Sequence, residues 1–334
     1  MRTSSWCLSL FAVIALCLGA WWYVCAMPGQ TYRGPLLPLT EAEVILQDRL
    51  HVHVQVLAGQ IGERHLWRPE ALQATVRYLT ETLHSLGSAV VLHQVQVGEH
   101  RLTNVVMEQA GATHPQEMLI LGAHYDTVRG SPGANDNASG VAALLEIARL
   151  LRGHTFARTV RYVAFVNEEP PFFQTANMGS WVYAQQARQR EERIVGMWSL
   201  ETLGFYSDAP QSQRYPFPFA LLYPAQGNFV AFVGNLASRA LVRQSIGAFR
   251  KHTAFPSEGV AAPASIPGIG WSDHWAFWQA GYPAVMITDT APFRYAAYHT
   301  GSDTPAQLDY ARLARVVAGL ARMVAEHAGV MSAS

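Results

Sequence analysis

Cysteine is almost absent: Cys7, Cys17 and Cys25 are all that 334 residues contain, and none follows Met27. The body can therefore hold no disulfide and no thiolate-bound metal, so any metal site there must use nitrogen and oxygen donors. This does not fix the compartment, because a large enough core dispenses with disulfides. Net charge is missing too: 24 basic and 24 acidic side chains cancel, and no run of like charge forms a tail. A nucleic-acid partner needs a basic face, so none is expected. What is present is apolar material, half of all residues, in a chain long enough for one large α/β domain or two small ones. No internal repeat and no second domain stands out.

Charge is absent again from Trp6 to Met27, a stretch of roughly the 20 residues that cross a bilayer. Arg2 precedes it, and Trp21, Trp22 and Tyr23 near its end are residue types that settle at membrane interfaces. Residues 1–27 are read as an uncleaved anchor, with membrane contact through residues 6–27 and the body on the extracytoplasmic side. The alternative is a cleaved signal peptide and a secreted or periplasmic protein, since Val24-Cys25-Ala26 resembles a small-residue cleavage site. Residues 28–39, with Gly29, Gly34, Pro35 and Pro38, read as a linker, and 40–334 as the folded domain.

Within that domain Thr40 and Glu43 form a capping-box pattern that opens a helix through the Val44 to Leu57 region. A second helix is expected from Pro69 to Ser85, and strands at 89–97 and 102–109 around a turn at Gly98-Glu99-His100. Strand and helix then alternate: strands at 118–122, 160–166, 194–200, 229–234 and 283–288, helices at 139–151, 179–190, 238–251 and 304–327. Residues 208–228, rich in Pro, Gln and aromatics, read as a long loop. The alternation predicts a mostly parallel central sheet with helices on both faces.

In such sheets ligands bind beyond the carboxyl ends of the strands, and polar clusters fall at those ends. Leu119-Ile120-Leu121 leads to Gly122-Ala123-His124-Tyr125-Asp126, Val163 to Val166 leads to Asn167-Glu168-Glu169, and Met197 to Leu200 leads to Glu201. Gly133 to Gly140, containing Asn135-Asp136-Asn137, sits just before a helix. Singly each has a plain explanation: a chance His-x-Asp, a solvated Glu pair, a turn with a helix cap. Four clusters on one sheet edge do not.

Together with Gly270-Trp271-Ser272-Asp273-His274-Trp275 and Tyr298-His299-Thr300-Gly301-Ser302-Asp303, these segments resemble the zinc-dependent aminopeptidases that share a scaffold with glutaminyl cyclases. The likeness runs over residues 55–328 and is strongest at 121–140, 166–180, 199–204 and 271–304. It implies a zinc-exopeptidase-like fold and two Zn2+ ions, other divalent metals being able to substitute in vitro. His124 and Glu201 would serve one ion, Glu169 and His299 the other, and Asp136 would bridge them. Glu168 would be the general base and Asp126 the carboxylate that orients His124. Relatives often carry Asp where this chain has Glu201. Asp273, Trp271 and Tyr298 are expected at the substrate pocket, Asp273 alternatively as a helix cap, and His274 as structural. The implied activity is hydrolysis of N-terminal residues from peptide substrates. The alternatives are a glutaminyl cyclase-type acyltransferase and a non-catalytic binding ectodomain. Pro170-Pro171-Phe172-Phe173 and the 208–228 loop depart from the simplest relatives and bear on substrate range.

Mass spectrometry of the mature chain is expected to find residues 1–27 retained; a chain beginning at Met27 would establish cleavage instead.

Overall fold

The computed structural model describes Gly19 and residues 21–331. Most of the apolar N-terminal stretch thus lies outside the described residues; of it, 21–25 are helical. Among the described residues no helix is long and apolar enough to cross a membrane.

The first helix, α1 (Glu41–Val54), starts at the expected place, with Thr40 and Glu43 making the reciprocal capping box. It continues as a wider π-turn through Gln55–Ile61. Helix α2 (Pro69–His84) carries Pro at its first position, where a missing N–H costs nothing. Then follow the hairpin β1 (Val90–Val97) and β2 (His100–Gln109), β3 (His114–His124), α3 (Gly140–Leu150), β4 (Arg158–Phe165), α4 (Gly179–Gln189) and β5 (Arg193–Glu201). The chain closes with β6 (Val230–Gly234), α5 (Arg239–His252), β7 (Ser257–Ala261), α6 (His274–Gln279), β8 (Ala284–Thr288) and α7 (Tyr310–Ala328).

The eight strands form one sheet in the order β1-β2-β4-β3-β5-β8-β6-β7. The expectation of a mostly parallel sheet needs correction. The central β4, β3, β5 and β8 are parallel, as are β6 and β7. The other three pairings, β1/β2, β2/β4 and β6/β8, are antiparallel. A tight turn forces the first of these, and nothing in an apolar strand's composition declares the direction of the other two. Strand β7 was not anticipated, and helix α6 was expected only through the alternative reading of Asp273 as a helix cap. Ser-Glu-Gly-Val-Ala has little strand character, and six residues are too few for helical periodicity.

Side chains alternate across the sheet as its pleat requires. Leu119 and Leu121 join the large core with residues of α1, α2, α3, α5 and α7, whereas Met118 and Ile120 join Tyr183 of α4 and Phe277 of α6 on the other face. Helices on both faces are borne out, five against two. The segment read as a linker lies along the domain: Ser257 N–H donates to Thr31 Oγ1, and Arg250 Nη1 to the Pro28 carbonyl.

One buried side chain ties the N-terminal helices to the loops beyond β3. Arg64 is fully buried and donates five hydrogen bonds, to the carbonyls of Tyr125, Leu57, Gly62, Pro132 and Gly133. Gly133 takes φ 64°, and a Cβ there would come within 2.3 Å of the Asp136 carbonyl oxygen and the Thr127 methyl, so this corner admits glycine alone. An ammonium cannot reach five carbonyls, and each stranded buried acceptor costs about 1–3 kcal/mol. Arg64→Lys is therefore expected to lower the unfolding free energy by at least about 2 kcal/mol, measured by urea unfolding; an unchanged midpoint would refute the clamp.

Candidate metal centre

Parallel strands β4, β3, β5 and β8 end at one sheet edge, and each delivers a polar residue there. His124 is the last residue of β3 and Glu201 the last of β5. Past β4 the chain turns at Asn167 (φ 59°) and presents Glu168 and Glu169; past β8 it returns through 289–298 to His299, also at φ 59°. Asp136 comes from the kinked turn ahead of α3, where its own φ/ψ is −112°/90° and its peptide bond to Asn137 is cis. Left-handed φ at non-glycine residues costs on the order of 1–3 kcal/mol each and persists where the surroundings enforce it. Thr202 (φ 46°) is enforced by Asn137 Oδ1, which accepts its N–H, and by the Thr288 hydroxyl.

All five expected ligands meet. His124 Nε2 lies 3.3 Å from Asp136 Oδ1 and 3.2 Å from Glu201 Oε2. His299 Nε2 lies 3.0 Å from Asp136 Oδ2 and 3.2 Å from Glu169 Oε2. Donor atoms of His124, Asp136 and Glu169 all fall within 4.8 Å of one another. Asp136 thus gives one oxygen to each of two clusters. These contacts are close without being hydrogen bonds: buried His124 Nε2, Asp136 Oδ2 and His299 Nε2 have no hydrogen-bond partner. Ligands at 2.0–2.2 Å around a tetrahedral zinc stand about 3.3–3.5 Å apart, so both clusters have the spacing of donors aimed at a shared ion.

The charge points the same way. Asp126, Asp136, Glu168, Glu169, Glu201 and Asp273 are all buried here, facing two imidazoles. Burial pushes Glu168 well above the ordinary carboxylate range, and neighbouring Glu201, Glu169 and Asp273 add to this against His124. Burial works against a charged His124, yet Glu201 and Glu168 hold its pKa well above the ordinary value. His299, for which burial also opposes charge, is held up to about 10 by Asp136 and Glu169. Such a concentration of carboxylates calls for cations.

Supporting residues refine the expected roles. Asp126 does less for His124 than anticipated: the imidazole Nδ1 is 3.2 Å from the Asp126 backbone carbonyl and 3.6 Å from its carboxylate. The carboxylate instead accepts the backbone N–H groups of Glu168 and Glu169, fixing both at once. Glu201, the departure from the commoner Asp, is steadied by the Ser272 hydroxyl at 2.7 Å, itself bonded to Ser199. Asp303 escaped notice in the sequence. Its two oxygens take the N–H groups of Asn135 and Asp136, and the Tyr295 hydroxyl donates to it. Its place four residues after His299 was the available signal. Asp273 stands at the start of α6, but its side chain does not cap the helix; both oxygens are buried without a partner, near His124. His274 is structural, its Nε2 bonded to the Ile269 carbonyl. His53 of α1 is buried, its ring nitrogens against Tyr78 and Glu146.

Beside Glu201 opens a cavity of about 100 Å³ whose walls include Trp271, Tyr298, Phe229, Met286 and Phe293. Trp271 and Tyr298 are therefore at the pocket; Asp273 is not among its walls.

Imidazoles and carboxylates converging in two clusters beyond the carboxyl ends of parallel strands define a candidate metal centre on an α/β fold. The chain belongs to peptidase family M28, whose sequence profile matches residues 104–324. It is 39% identical over 283 residues to the uncharacterized protein YfbL of Escherichia coli K12, covering 75% of this chain and 86% of that one. Its fold is similar to that of BSAP, a zinc aminopeptidase from Bacillus subtilis, with a TM-score of 0.66 and 14% identity over 90% of this chain and 98% of the other. It is also similar to a Fimbriiglobus ruber glutaminyl cyclase, with a TM-score of 0.61 and 22% identity over 89% and 99%.

Asp136 sits in both clusters, so Asp136→Ala is expected to abolish metal retention at both, read by elemental analysis of the purified protein. A near-normal metal content would remove Asp136 from the centre.

Proposed function

We propose that this chain is an aminopeptidase that removes N-terminal residues from peptides with two zinc ions, His124 and Glu201 serving one, Glu169 and His299 the other, and Asp136 both. The reading places it at the extracytoplasmic face of a membrane, held by residues 6–27. The observation that carries it is the division of the Asp136 carboxylate between the two imidazole–carboxylate clusters, with Glu168 Oε2 3.9 Å from His124 Nε2. Zinc bound by such a set polarises the scissile carbonyl and lowers the pKa of water at the site.

The protein's own part is proton handling and positioning. Glu168, buried and with a raised proton affinity, accepts a proton from the attacking water and passes it to the leaving amine. Asp126 keeps that carboxylate apart from adjacent Glu169 by holding both backbone N–H groups. Excess carboxylate suits a free α-amino group, which an exopeptidase must recognise. The aromatic and aliphatic walls of the cavity suit an apolar first side chain.

The likeness in fold to a glutaminyl cyclase makes acyl transfer the second reading. That activity typically uses one zinc, and the presence of both His124 and Glu201 alongside the other three ligands favours hydrolysis. Intact Glu168 weighs against a purely binding role. Amino-acyl anilides and peptides with N-terminal glutamine separate the readings: release of aniline, abolished by chelator, is expected, and cyclisation without hydrolysis would defeat the proposal.

Glu168→Gln is expected to cut kcat by about 10³-fold, within the range of general-base contributions, with zinc content near normal. Loss of metal in that variant would make Glu168 a ligand instead.

A further inference from the structure

The loop between β5 and β6 contains a short turn, Phe219–Leu221, that exposes large apolar side chains. Phe217 is 86% exposed and Leu221 77%, with Leu222 also exposed, whereas Phe219 between them is buried. The turn is well bonded: Phe219 N–H donates to the Pro216 carbonyl, Leu221 to Pro218 and Leu222 to Phe219. Burial of Phe219 fixes its neighbours outward. Val24 packs against the same cluster as Phe219, which brings exposed Trp21, Trp22 and Tyr23 to this part of the surface. Leu236, also exposed, lines one depression with Tyr23, Arg239 and Arg243. Both arginines donate to backbone carbonyls, Arg239 to Tyr23 and Arg243 to Ala26, and Arg239 stacks 4.1 Å over the Tyr23 ring.

We propose that Phe217, Leu221, Leu222 and Leu236, with Trp21 and Trp22, form a face that seats the domain in the interfacial zone of a lipid bilayer. Three observations select that occupant. The patch contains two tryptophans, the residue type that partitions to the headgroup level. The sequence that leads into it, from Trp6 onward, carries no charge, the composition of a bilayer-seated segment. Arg239 and Arg243 supply positive charge beside it, the sign that anionic headgroups attract. Large apolar side chains exposed beside one another mark an interaction site. Because Tyr215 and Phe219 of the same loop also wall the cavity beside Glu201, the substrate pocket lies toward the bilayer.

The inference rests on residues 6–27 meeting the membrane, and the test separates the two. The full chain, with Cys7, Cys17 and Cys25 changed to Ser, carries a single cysteine as Phe217→Cys or, for comparison, Glu81→Cys on α2. Each is labelled with an environment-sensitive nitrobenzoxadiazole dye and reconstituted into phosphatidylcholine–phosphatidylglycerol vesicles, with a carbonate wash reporting anchoring. At 217 the emission is expected to shift to the blue and be largely lost when lipids carry a shallow nitroxide; at 81 it stays water-like and unquenched. Water-like, unquenched emission at 217 from a chain that resists carbonate overturns the inference alone. Release by carbonate overturns the anchor reading, and lipid quenching at 217 on vesicle addition then decides the patch separately. A blue shift that appears without vesicles and grows with protein concentration assigns the patch to a second copy of the chain and also overturns it.

Discussion

Six buried carboxylates face two imidazoles across a few ångströms, and the rest of the site is arranged around that imbalance. Unlike charges in water, groups buried together cannot leave their repulsion to solvent. Asp136 stays ionised below the ordinary range although burial opposes it, because both imidazoles lie against it. Glu168 and Asp273 shift the other way, Asp273 to about 7, chiefly through burial. The polar support follows from this: backbone N–H groups, the Ser272 hydroxyl and Arg64's carbonyl clamp fix each carboxylate or its loop in place. Donors so constrained cannot rotate away from one another, and their orphaned lone pairs are what a cation finds.

The sheet supplies the rigidity. Three neighbouring parallel strands, β4, β3 and β5, bring His124, Glu168, Glu169 and Glu201 to one edge because each buried apolar run ends there. The antiparallel additions at either side widen the sheet without contributing to the metal clusters. β6 and β8 do form part of the cavity's wall, through Ala231 and Val233 in β6 and Met286 in β8. Catalytic groups and apolar pocket are thus carried by different parts of one sheet, which lets the pocket vary while the clusters stay in place.

Much of this was legible in the chain. The polar clusters at strand ends marked the place, and the resemblance to zinc-dependent aminopeptidases implied His124, Asp136, Glu169, Glu201 and His299 within them. The general alternation of strand and helix gave the layers. Strand direction at the sheet edges was not readable, since an isolated apolar strand fits either pairing. Asp126 shows a subtler limit. The resemblance implied contact with the imidazole, but its carboxylate accepts from the loop after the next strand, a partner more than 40 residues on. Arg64 and Asp303 likewise act on backbone groups far away in sequence, and such contacts leave no local pattern.

The Asp303 contact carries one more consequence, about timing. The backbone N–H groups of Asn135 and Asp136 are held by a carboxylate 168 and 167 residues further along. During synthesis the first cluster's histidine and both strand-end glutamates emerge long before His299 and Asp303 do. A ribosome-held chain ending before residue 299 therefore has neither the second imidazole nor the clasp that sets Asp136. The second cluster's set of side chains is complete only once residues through Asp303 have emerged, late in the chain.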